Sequence, residues 1–162
     1  MFVAPTGVAG LVHRWAKFYD DRTSVSTAVT FVHLAGILLA GGFAIVADRA
    51  SLRLSPTGDM DQMRQLDEIA SVHRWVIIGL VVTFVSGILM FFSDLNTYLH
   101  SAVFWTKMGL IVLLLGNGYV RMRAEAALRR GVAVWRRFRQ TSIASLALWF
   151  AVLLAGTILQ NS

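Results

Sequence analysis

His33 and Lys107 can do chemistry in a place where ionisable groups are costly. Each lies inside a long apolar run, where such a side chain reads as functional by default. The two also match in depth. His33 is seven residues in from Ser26 and Lys107 five in from Ala102, which at 1.5 Å of rise per residue differ by only about 3 Å. Counting seven back from Ser93 lands on Ser86, with Met90 one turn nearer the surface, and Thr157 and Gln160 come up on the same side. A bundle of these segments can therefore gather His33, Ser86, Met90, Lys107 and Thr157 into one polar pocket. His100, one heptad before Lys107 on the same face of the third helix, is placed to cap it from the interface.

The chemistry that wants an imidazole and an ammonium in an apolar helical pocket is that of a b-type haem or related porphyrin. Imidazole ligates the iron axially, small residues admit the flat ring, and a cation neutralises a propionate. His33 is the expected metal ligand, with Met90, His100 or Lys107 as a second ligand, or none. The alternative is structural: His33 hydrogen-bonds across to Ser86 or a carbonyl, and Lys107 extends toward the interface. His13 and His73 read as interfacial residues.

Other chemistries drop out. The chain has no cysteine, which removes disulfides, thiolate metal sites, iron–sulfur clusters and covalent haem attachment. It carries no phosphate loop, nucleophile elbow or HExxH helix. Asp48 and Asp94 read as span ends, so no paired intramembrane carboxylates are expected.

The elements that must position these residues follow from composition. Of 162 residues, 56% are hydrophobic and 15% charged, too apolar for an ordinary soluble domain of that size. Four segments, Ser26–Ala47, Val72–Ser93, Ala102–Val120 and Thr141–Leu159, are close to the length of about 20 residues that spans a bilayer. Backbone groups cannot go unpaired in lipid, so each must be a helix. The expectation is an all-α, integral membrane, antiparallel four-helix bundle forming a single domain over residues 1–162. Residues Val8, Leu11, Val12, Trp15 and Phe18 recur at helical spacing and predict a short N-terminal interfacial helix. The first ten residues lack the features of a cleaved secretory signal, which predicts a retained N-terminus.

The connections set direction. Ser55-Pro56-Thr57-Gly58 is a turn, after which Asp59 or Asp61 can cap a helix running through Met63, Leu66, Ile69 and Val72 into the second span. Arg49, Arg53, Arg64 and Arg74 flank that loop. The third connection, 121–139, carries seven more arginines, while Asp94–Ser101 has no Lys or Arg. The positive-inside rule then places both termini outside the cytoplasm. The formal charge of +6 points to anionic lipids near 121–139 and not to nucleic acid, with Leu128, Trp135 and Phe138 dipping into the interface. Small residues form two stripes suited to close packing, His33/Gly36/Ala40/Ala44 and Ala147/Ala151/Ala155. A further seam follows Gly79, Thr83, Ser86, Met90 and Ser93.

Val32-His33-Leu34-Ala35-Gly36 with Gly41-Gly42, and Phe104-Trp105-Thr106-Lys107-Met108-Gly109-Leu110 leading to Asn117, resemble a group of small bacterial membrane proteins. That group is similar to the CopD membrane domain and to the HemJ-type protoporphyrinogen oxidases. The resemblance covers about three of the four spans, and implies a bacterial inner-membrane location. It also implies that His33 and Lys107 are the counterparts of a His and a Lys tied to haem binding and activity. The expected function is electron transfer or porphyrin oxidation. A non-catalytic accessory subunit of a larger membrane complex, or a copper-handling protein using His33 and Met90, are the rivals.

Overall fold

The computed structural model describes residues 7–53 and 60–160. Six helices follow in order: α1 (Val8–Asp20), α2 (Thr23–Arg53), α3 (Met60–Phe91), α4 (Leu95–His100), α5 (Ala102–Arg129) and α6 (Trp135–Gln160). Four of them, α2, α3, α5 and α6, are long and apolar enough to cross a membrane. The expected turn at Ser55–Gly58 and the Asp59 cap lie outside the described residues, as does the side chain of Asp61. From Met60 onward α3 runs unbroken into the second span, as the sequence predicts.

Each long helix outruns its apolar segment. At 31 residues α2 is about 46 Å long, well beyond the ~30 Å hydrocarbon core. The Arg-rich connection is therefore mostly helix, with only residues 130–134 between α5 and α6. Gly131, at φ 80°, ends α5: the Gly131 N–H bonds Leu128 O and the Val132 N–H bonds Ala127 O. This paired closure satisfies carbonyls that the helix end would leave bare. At the other end of α5, Ser101 closes α4 with its N–H on Tyr98 O and caps α5 by accepting from Phe104 N. Its extended backbone makes α4 and α5 separate helices.

Two antiparallel hairpins, α2/α3 and α5/α6, make the most extensive contacts, and α2 against α6 joins them. The α2/α3 crossing is close because glycine faces glycine. A Cβ on Gly79 would lie 2.5 Å from Ala40 N and 2.8 Å from Gly36 O. Gly36, Ala40 and Ala44 are all buried, so the first small-residue stripe is used inside the chain. The second stripe is corrected. Ala147 is exposed, and α6 instead buries Phe138, Ser142, Ser145, Trp149, Val152 and Ala155.

One apolar core joins Ala40, Ala44, Leu114, Trp149 and Val152 in the middle of the bundle, and a second joins Ala47, Leu66, Ile69, Ala124, Leu128 and Phe138 at the Arg-rich end. Leu128 and Phe138 thus pack within the protein instead of dipping into the interface. Large apolar side chains face outward, among them Phe31, Leu38, Phe84, Val112, Phe150 and Leu154. Such a surface is expected where the solvent is lipid, since hydrocarbon gives no reason to hide a leucine.

Candidate cofactor site

The polar pocket is built from α2 outward. His33 is half-buried on the face that meets α3, and its Nδ1 lies 3.0 Å from Ser86 Oγ. The direction of that bond follows from the hydroxyl's single proton. Ser86 Oγ donates to Val82 O at 2.7 Å, which leaves it lone pairs to offer, so Nδ1–H of His33 is the donor. A neutral imidazole with its proton on Nδ1 presents the lone pair of Nε2. Its Cε1 rests where a Cβ on Gly87 would be only 3.2 Å away, so glycine at 87 gives the ring its seat.

Lys107 approaches from α5. It is half-buried, and a Cβ on Gly156 of α6 would lie 3.5 Å from Nζ. The structure pairs His33 with Ser86, while Lys107 reaches toward Gly156 of α6. Met90 is half-buried one turn beyond Ser86. Thr157 is exposed and donates to Leu153 O. Gln160 has a side chain outside those described. His100 requires a correction to its placement: it ends α4 and not α5, is exposed, and its ring meets Asn96 O. The break at Ser101 removes the shared face with Lys107. Gly87 and Gly156, which seat the two key side chains, were not singled out; glycine opposite a polar residue is the signal that marks them.

Aromatic side chains cluster where α3 ends and α5 begins. Phe91 of α3 stacks on Phe104 of α5 at 5.4 Å, and Tyr98 of α4 tilts against both. Trp15 of α1 donates its indole N–H to Leu89 O at 2.8 Å, which ties the N-terminal helix to the end of α3. Tyr98 carries a testable consequence. Burial, then Tyr19, then Asp94, hold its phenol protonated above the usual tyrosine value of about 10. Because folding favours the protonated form, that stabilisation is complete below the unfolded pKa and is lost as pH rises through the folded one. Tyr98→Phe should remove this alkaline loss of stability, read by thermal unfolding across the alkaline range. An unchanged profile would show that Tyr98 is not its source.

A second polar layer lies toward the Arg-rich end, where the sequence reading had placed only span-end charges. Asp48 and Arg121 are corrected to buried partners: Nε lies 3.1 Å from Oδ1, with side chains 8% and 1% exposed for Arg121 and Asp48. The contact is an ion pair without the alignment of a straight hydrogen bond. Hydroxyls of Ser145 and Ser142 lie beside the carboxylate. Arg121 Nη2 donates to Ser51 Oγ at 2.9 Å, and its guanidinium lies over the Phe138 ring. Asn117 Nδ2 donates to Thr141 O at 2.8 Å. This layer ties α2, α5 and α6 together.

Compared with protein-family models, curated proteins and solved structures, the chain matches none, and none of the three links it to the CopD or HemJ-type proteins its first and third spans resemble. Among the described residues no cluster of three His, Cys, Asp or Glu side chains could hold a metal ion by itself. That excludes a multi-carboxylate or multi-histidine centre there, but not a single imidazole ligating a porphyrin iron.

Proposed function

We propose that this multi-pass membrane protein, in a bacterial inner membrane with both termini outside the cytoplasm, holds a b-type haem or related porphyrin through His33 and works in electron transfer or porphyrin oxidation. One observation carries the reading. His33 Nδ1 lies 3.0 Å from Ser86 Oγ, and a hydrogen bond donated by Nδ1–H to that hydroxyl leaves Nε2 as the ring's ligating nitrogen, in the manner usual for metal-binding histidines. Lys107 supplies the cation that an anionic ring substituent requires. Gly87 leaves room for the imidazole, whose Cε1 would lie 3.2 Å from a Cβ at that position. When bound, the group would supply one-electron chemistry. The chain orients the imidazole, sets its tautomer and places a positive charge nearby.

The first test is the visible spectrum of protein purified from haem-replete cells. A Soret band should be present in the wild type and absent in His33→Ala. Ser86→Ala should keep the band but move its midpoint potential, because a ring that loses its outer hydrogen bond becomes a poorer donor. A colourless, folded wild-type protein would overturn the reading. The copper alternative rests on Met90, one turn beyond Ser86, for its sulfur, and the accessory-subunit alternative loses the Gly36/Ala40/Ala44 stripe to internal packing.

A further inference from the structure

We propose that the depression at the α5–α6 turn binds the phosphate of an anionic phospholipid, held by Arg136 and Arg137. The depression, about 590 Å³ and open to the outside, is lined by Ala133, Val134, Arg136, Arg137 and Gln140. Its volume falls in the range of ordinary ligand sites.

Charge pairing at this end of the bundle identifies the occupant. Every acidic side chain described here is already engaged. Asp48 pairs with Arg121, Glu68 with Arg64, and Asp67 and Glu125 with Arg129. Arg123 turns onto Tyr119 and Arg130 onto a carbonyl of its own helix. Arg136 and Arg137 are exposed, with no acid in the first turn of α6. No described acid pairs with either, so both guanidiniums are available to an anion from outside. Two guanidiniums that line one concavity suit the oxygens of a phosphodiester, which forked N–H pairs grip better than an ammonium would.

The position selects a lipid over a soluble anion. Val132, 53% exposed, and the half-buried Val134 and Trp135 sit around the turn, and Tyr119 and Met122 on the adjoining part of α5 face outward. This apolar rim places the arginines at headgroup level, with room alongside for acyl chains.

The test uses the full chain in nanodiscs of zwitterionic lipid doped with a minor fraction of phosphatidylglycerol, with retained lipid read by native mass spectrometry. Wild type should keep the anionic lipid. Arg136→Gln/Arg137→Gln should weaken retention by about thirtyfold, at roughly fivefold for each guanidinium. Arg136→Lys/Arg137→Lys should fall between, and Arg139→Gln, outside the depression, should match wild type. Equal retention in wild type and the double Gln variant would overturn the proposal, leaving these arginines as a topology signal alone. Release of the lipid by millimolar inorganic phosphate would also overturn it, since the depression would then be a site for free phosphate.

Discussion

Replacing Asp48 with alanine should destabilise the protein by about 3–5 kcal/mol, the cost typical of stranding one member of a buried ion pair. The mutation leaves the Arg121 guanidinium inside the bundle, 8% exposed, with only Ser51 and the face of Phe138 for company. Arg121→Ala should cost about as much, because it strands the carboxylate instead. The paired replacement Asp48→Leu/Arg121→Met should recover most of the loss, since both desolvation penalties disappear together. Reversible unfolding in mixed micelles measures each of these variants against wild type. If the single variants each lose less than about 1 kcal/mol, within the range of surface pairs, the layer is solvated in the membrane and does not hold the hairpins together.

Gly79→Ala should be the next most damaging small change. The added methyl would meet Ala40 N at 2.5 Å, Gly36 O at 2.8 Å and Ala40 Cα at 2.9 Å, all backbone atoms that cannot rotate away. Helices α2 and α3 must then separate. Overpacking of this kind costs typically about 1–3 kcal/mol, and a contact that is backbone on both sides lies at the upper end. The same separation pulls His33 from Ser86, so the nitrogen chemical shifts of the His33 ring should move with the stability. Gly109→Ala and Gly116→Ala are the controls, for nothing lies within 4 Å of a Cβ at either. They should change stability by less than about 0.5 kcal/mol. A Gly79→Ala protein as stable as these controls would mean that the α2/α3 crossing is looser than described.

The four spans were legible because lipid enforces a simple rule, and apolar runs of spanning length must be helices. Equal depth put His33 and Ser86 at one level, and their side chains lie 3.0 Å apart. What hydropathy hid was how far the helices continue past the apolar run. α2 extends to Arg53 and α5 to Arg129, which turns Asp48 and Arg121 from end markers into interior residues. A signal for this was present. Gly41, Ala44, Asp48 and Ser51 keep a three-four spacing along α2, and Asn117, Arg121, Ala124 and Leu128 do so along α5. A charge in phase with a buried small-residue face belongs to that face. His100 failed differently: a heptad shares a face only along an unbroken helix, and Ser101 interrupts it.

The Asp48–Arg121 pair also bears on biogenesis. Synthesis runs from the N-terminus, so the first hairpin reaches the membrane with Asp48 in place while Arg121 has not yet been made. Until α5 arrives, an unneutralised carboxylate sits on an exposed helix face and marks the nascent chain as unfinished. A chain that stops after α3 leaves that charge uncovered, whereas one that reaches α5 conceals it as its two halves join.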